Sequence, residues 1–355
     1  MDFEKLNWQE FFVTDLFPSI QRGKRLTKAN QKDGNIPYIS STALNNGVDN
    51  FISSSSKMRI FENCLSVANS GSVGSSFYEP YKFVASDHIT HLKNIEYNEF
   101  IYLFISVMTN RWSAKYNFNR EISDKRISRE KILLPVNSNG LPDFQIMEQI
   151  IRESKGHKYS LYIEYANSKL NILTYKSVEP LNMQKWKPFE IGSLFPIIEP
   201  GKGKGLNHLN ITDDFSGINY IGATNRNNGV LCQVEINPKS KKLIQKGNCI
   251  GFIRNGNGSV GYAIYKSEDF ISTSDVSFAY NDFLNKYNGL FIVASSDLIR
   301  GKYNHNYKRT PERLKKDCIM LPATDSGEPD YLYMEQYVKN MMIAKYQSYL
   351  DYVNR

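Results

Sequence analysis

Three places in the chain combine residue types that enzymes use. The first is His88-Ile-Thr-His91 beside Asp87, which has the donor types of a metal site. Residues three apart in a strand point to opposite faces, so the two imidazoles do not share one ligand sphere. The second is Gly201-Lys-Gly-Lys-Gly205. It lacks the Gly-x-x-x-x-Gly-Lys-Ser/Thr spacing of a phosphate loop and no strand-then-helix context surrounds it. The third is Pro329-Asp330 with Glu335 and Lys339, a superficial likeness to a nuclease in which the Glu-to-Lys spacing is wrong. The Asn-Pro-Pro-Tyr and Phe-x-Gly-x-Gly patterns of nucleic-acid methyltransferases are missing. Cys64, Cys232, Cys249 and Cys318 are scattered without a Cys-x-x-Cys pair, which points to a reduced, cytoplasmic protein with neither a disulfide frame nor a zinc ribbon. No catalytic residues and no metal ligands emerge, and the expectation is a binding protein without cofactor.

What remains is chemistry suited to a polyanion. The formal net charge is +8 and the pI about 9.0, which favours nucleic acid. AT-rich coding also favours Lys, Asn, Ile and Tyr, so the charge supports this reading without deciding it. Arginine suits guanine edges, Asn and Gln suit adenine, and Lys suits phosphate. Residues of these types gather in short segments: Arg22, Lys24 and Arg25; Asn45 and Asn46; Lys115, Asn117, Asn119 and Arg120; Lys202 and Lys204; Asn225, Arg226 and Asn227; Arg254 and Asn255; Lys302, Asn304, Asn306, Lys308 and Arg309. Each segment also reads as a solvated turn.

These segments sit in a duplicated frame. Trp8-Gln-Glu-Phe11 and Asp15-Leu-Phe-Pro18 return as Trp186-Lys-Pro-Phe189 and Ser193-Leu-Phe-Pro196. Ile36-Pro-Tyr-Ile39 returns as Ile218-Asn-Tyr-Ile221, Gly71-Ser-Val-Gly74 as Gly258-Ser-Val-Gly261, and Lys115-Tyr-Asn-Phe-Asn119 as Lys302-Tyr-Asn-His-Asn306. The offset between copies grows only between motifs, as loop insertions in one copy produce. Short β-branched and aromatic runs between turn signals predict strands, and Asn46-Gly47 and Asn228-Gly229 predict tight turns. Helical spacing marks Glu99–Arg111 and Phe283–Ile299. Each copy is therefore a mixed α+β domain, over 1–139 and 186–326.

After each domain comes a matched phrase, Gly140-Leu-Pro-Asp-Phe-Gln-Ile-Met-Glu-Gln-Ile-Ile151 and Gly327-Glu-Pro-Asp-Tyr-Leu-Tyr-Met-Glu-Gln-Tyr-Val338. Asp143 and Asp330 are the expected N-caps. The first helix, within 140–178, reaches roughly 50 Å if it extends to Tyr175, at ~1.5 Å per residue. A linker over 179–185 follows, and the second helix occupies 327–355. A long helix with one apolar stripe needs a partner surface. The expected one is the other helix, in an antiparallel coiled coil with pseudo-two-fold symmetry. Its seam would be Met147, Ile150, Ile151, Leu161 and Tyr165 against Met334, Tyr337, Val338, Met341 and Tyr352. The competing expectation is that each helix packs on its own domain.

On the Trp-x-x-Phe…Leu-Phe-Pro openings, the two Gly-Ser-Val-Gly turns and the Leu-Pro…Met-Glu-Gln helix entries at 133–151 and 320–338, the whole chain resembles the DNA-specificity (S) subunits of multisubunit restriction–modification systems. The Asp-Phe-x-x-Met-Glu-Gln entry departs from the usual type I pattern, Pro-Pro-Leu-x-Glu-Gln, and looks closer to the small type IIB subunits. The resemblance implies two target-recognition domains that each read half of a bipartite double-stranded DNA target. It implies helices that fix the spacing and dock methyltransferase and endonuclease subunits, one S chain with two catalytic chains. S-adenosylmethionine and Mg²⁺ would then belong to those partners. The rival reading is a duplicated protein- or carbohydrate-binding scaffold. No apolar run is long enough to span a membrane.

Overall fold

The computed structural model describes all 355 residues except 1, 2, 57, 118, 204, 215, 257 and 355. Two compact units emerge, Met1–Tyr162 and Ile163–Arg355, each built to one plan. In the first unit, strands Ser19–Arg22, Ile89–Lys93, Cys64–Ala68 and Ser76–Glu79 form an antiparallel sheet in that order. A second sheet orders Val48–Ile52, Asp33–Ile39, Phe83–Ala85 and Ile60–Phe61, with a parallel pairing of Tyr38 to Val84. Opening strand Trp8–Phe12 pairs with closing strand Lys131–Pro135, Trp8 opposite Pro135. The second unit repeats this with Ile197–Pro200, Val276–Tyr280, Cys249–Ile253 and Ala263–Lys266, and with Trp186–Glu190 against Cys318–Pro322. Its second sheet gains an edge strand, Ile211–Thr212. Because the first and last strands of each domain pair, the chain enters and leaves at one place.

The long helices are α1 (Glu99–Asn110), α2 (Phe144–Ile172), α3 (Lys286–Asp297) and α4 (Tyr331–Val353). Asn98 caps α1, its side chain accepting from Phe100 N and Ile101 N. Asn285 caps α3 in a reciprocal box with Asn288. Asp143 and Asp330 accept from Ile146 N and Tyr333 N at 3.0 and 2.9 Å, the expected cap of orphan donors in a first turn. Gly156 does not interrupt α2, which stops three residues short of Tyr175.

The seam expected between helices is corrected for most of its residues. Met147 and Ile150 are buried in the first unit's core beside Ile101, Phe104 and Leu134, with Ile151 packed against them. Met334 is wholly buried in the second unit's core, with Tyr337 and Val338 against it. A helix first spends its apolar stripe on the nearest apolar surface, here its own domain. Leu161, Met341 and Tyr352 are exposed. Tyr165 does meet α4, its ring 6.0 Å from that of Tyr346. Thr174 O accepts from Gln336 Nε2 at 2.9 Å, so within the second unit residues 165–174 run antiparallel to 336–346.

Candidate nucleic-acid interface

The sheets place the basic loops together. In the first unit Arg22 ends its strand with Nε donating to Asp87 O at 2.6 Å and Nη2 to Asn69 Oδ1 at 3.1 Å. Arg59 donates to the Arg22 carbonyl, Ile122 N donates to Asn69 O, and Ser72 N to Ser41 O, both at 2.9 Å. Five loops thus meet around the buried Asn69. Gly71 and Gly74 have φ of +65° and +86°. A Cβ on Gly74 would stand 2.7 Å from Ser113 N, so the repeated Gly-Ser-Val-Gly phrase is a packing requirement of this cluster. Around it lie polar hollows, one of about 340 Å³ bordered by Arg25, Lys28, Gln31, Asp49, Asp87 and His88. Another, of about 440 Å³, is lined in part by Arg22, Arg59 and Asp124.

The second unit builds the counterpart differently. Arg254 N donates to Asp275 O at 2.8 Å and Asn255 Nδ2 to Asp275 Oδ1 at 3.2 Å. Ser259 Oγ donates to Asn225 Oδ1 at 2.9 Å, and Gly203 bridges to Thr273. Arg254 Nε is buried with no hydrogen-bond partner, an unmet donor within the loop cluster.

Several expected readers prove to be scaffold. Arg309 is wholly buried. Its Nε donates to Asp317 Oδ2 at 2.8 Å and its Nη1 to Gly261 O at 2.9 Å, so it is removed from the DNA-facing set: a guanidinium without exposed surface touches no backbone phosphate. Lys115 Nζ holds buried Glu130 at 2.8 and 2.9 Å, and Lys302 Nζ lies 3.9 Å from Asp317. Asn117 Oδ1 accepts from Asn119 N, and Asn304 Oδ1 from Asn306 N and Tyr307 N, as asparagines that close turns do. Asn45, Asn46, Asn227 and Asn228 take φ near +50°, a conformation Asn tolerates better than most residues. That explains these tight turns without invoking a base.

Lys24, Arg25, Asn119, Arg120, Lys202, Asn225, Arg226, Asn306 and Lys308 remain exposed, and Lys204 lies outside the described residues. Arg59 and Asn69 carry no sequence signal as neighbours of Arg22, because only folding brings their separate loops to it. His88 bonds to Ser70 Oγ. His91 is buried, its Nδ1 2.8 Å from Gln21 O and its ring 4.0 Å from Phe61; burial lowers its pKa. Among the described residues no group of His, Cys, Asp and Glu is placed to hold a metal ion. Among the described residues no helix is long and apolar enough to cross a membrane.

An antiparallel sheet, a mixed sheet, an end-to-end strand pair and a capped helix, repeated with loops gathered at corresponding strand ends, define a duplicated recognition module. Residues 5–161 and 183–349 each match the Type I restriction modification DNA specificity domain, and the chain belongs to that family. It is 40% identical over 146 residues to the Type II restriction enzyme BgcI specificity subunit S.BcgI of Heyndrickxia coagulans, a match spanning 41% of this chain and 42% of that relative. The S subunit of a Type-I restriction-modification system from M. genitalium shares the fold, with a TM-score of 0.51 and 13% identity. That superposition covers 100% of this chain and 94% of the other.

Proposed function

We propose that this chain is a DNA-specificity subunit of a restriction–modification complex, non-catalytic by itself, with residues 1–139 and 186–326 as target-recognition domains. The observation that carries the proposal is the pair of corresponding loop clusters, around Asn69 and around Asp275, each rimmed with exposed Arg, Lys and Asn. Sharing a frame but not tips, they suit two different half-sites of one duplex. Phosphate contacts by the lysines supply affinity, and loop tips such as Arg25, Arg120, Arg226 and Asn255 supply sequence choice. The antiparallel run of α2 against α4 supports a spacer, with Leu161, Met341 and Tyr352 left exposed for catalytic partners. Those partners, two to one specificity chain, supply S-adenosylmethionine, Mg²⁺ and the chemistry, in the cytoplasm.

The test is exchange of residues 1–139 for the matching domain of a relative, with methylation mapped at base resolution in cells carrying the intact system. One half-site changes while the other half-site and the gap persist. A change in both half-sites sinks the one-domain, one-half-site assignment. Insertion of one helical turn near Lys169 changes the gap alone; an unaltered gap refutes the spacer.

A further inference from the structure

The second unit holds a feature that the first lacks. Between strands Val230–Val234 and Cys249–Ile253 the chain passes through Asn237-Pro-Lys-Ser-Lys-Lys242, where the shorter matching connection of the first unit begins with the serine run Ser53–Ser56. We propose that the Lys239/Lys241/Lys242 turn is a phosphate clamp, gripping the DNA backbone beside the loops with which the second domain reads bases. The inference rests on the DNA-binding reading above and adds a site to it.

The turn is locked before any ligand arrives. Asn237 Oδ1 accepts from Lys239 N and Ser240 N, both at 3.0 Å. Ser240 is wholly buried; its Oγ donates to Glu235 O at 2.7 Å and accepts from Asn237 N at 2.8 Å. Leu243 and Ile244, which follow, pack into a small core with Ile218, Tyr220, Val234 and Ile271. Three exposed lysines therefore project from a backbone that has little freedom left to lose, a preorganised arrangement. Among the described residues no ion pair engages them. The nearest carboxylate in sequence, Glu235, accepts instead from Asn210 Nδ2 at 2.8 Å.

The position is equally specific. Leu206 and Leu209 pack in the same small core, immediately after the basic glycine loop that starts at Gly201. Lys202 N donates to Gln245 Oε1 at 3.0 Å, tying that loop to the far side of the lysine turn. A Cβ on Gly203 would lie 1.8 Å from Ser272 O, so the glycine loop is pressed on the strand that leads to Asp275 and Arg254. The glycine loop thus touches both neighbours, the downstream end of the lysine turn at Gln245 and, through Thr273, the segment that carries Asp275. Ile236, Pro238, Lys241 and Lys242 line an open hollow of about 600 Å³. Three like charges held together without counter-charges suit a polyanion rather than a single carboxylate.

The experiment compares the intact complex carrying wild-type chain with one carrying the triple variant Lys239→Ala/Lys241→Ala/Lys242→Ala, titrated with a duplex containing the mapped target. Each phosphate neutralised contributes about 0.9 to the slope of log affinity against log salt, so the variant's slope falls by about 2 to 3. The methylated sequence stays the same, and the thermal unfolding midpoint is unchanged. Asn237→Ala, which keeps the charges but frees the turn, weakens binding while preserving the slope. An unaltered slope in the triple variant overturns the clamp, and so does a changed target sequence, which would make the lysines base readers. A wild-type complex without salt-dependent DNA binding would instead refute the functional reading itself.

Discussion

Glu130 and Asp317 stand at the same place in the two halves, and their surroundings differ. In the first half the longer carboxylate is met by half-exposed Lys115 and by the Tyr116 hydroxyl. In the second, the shorter Asp317 takes the Tyr303 hydroxyl at 2.7 Å and buried Arg309 at 2.8 Å, where the first half has the equally buried Ile122. The Arg309 guanidinium lies 4.8 Å from the Phe252 ring centroid and 5.4 Å from that of Tyr303. Burial lowers its pKa, and Asp317 beside it opposes that fall. Burial and the Glu130 carboxylate push the Tyr116 phenol up to about 12. One scaffold is thus held by a surface cation alone or by an internal one with a looser surface cation, Lys302 at 3.9 Å, and the repeated Lys-Tyr-Asn-x-Asn phrase is the part both solutions share.

A second pair sharpens the contrast. Glu79, wholly buried, accepts from Ser66 Oγ at 2.9 Å, and burial raises its pKa. Its strand counterpart is Lys266, also buried, whose Nζ lies 2.7 Å from Glu268. The same sheet position carries a carboxyl whose pKa burial raises in one domain and a paired ammonium in the other.

The largest expected effect separates the two carboxylates. Asp317→Ala strands a buried guanidinium and costs about 3–5 kcal/mol. Glu130→Ala lets Lys115 turn to water and costs about 1–3 kcal/mol, mainly through the buried Tyr116 hydroxyl. Denaturant midpoints check this, and equal losses would break the comparison. Next, Met147→Ala and Met334→Ala each cost about 2–5 kcal/mol, because both fill their own domain's core. If either left stability intact while changing the recognised gap, it would belong to the helix seam after all.

Glu79→Gln stabilises the first half by about 1 kcal/mol at neutral pH. The sign follows from linkage: a raised carboxyl pKa gives stability that is full below the unfolded value, about 4.3, and is lost as pH rises through the folded one. The gain from Gln therefore shrinks on acidification. A gain that persists at pH 4 would remove burial as its cause. The smallest effect is the Tyr165–Tyr346 contact, about 0.5–1.5 kcal/mol of coupling in a double-mutant cycle. A coupling of zero would mean that the rings touch without holding α2 to α4.

The sequence alone established the duplication, both domain frames, the strand runs, the Asp143 and Asp330 helix starts and the absence of a familiar catalytic motif. Those features are local, since periodicity, cap chemistry and turn residues act over a few positions and leave their signature in the chain itself. Tertiary structure decided which basic residues face solvent. Lys308 and Arg309 are neighbours of the same type, yet one is exposed and the other is sealed against Asp317, because side-chain fate depends on what distant strands bring alongside. It decided, too, that Met147 and Met334 belong to domain cores, since an apolar stripe records that a helix is covered but not by what. Asn69 shows this most plainly. It is an unremarked asparagine in the chain and becomes the hub of five loops only when strands far apart in sequence end together.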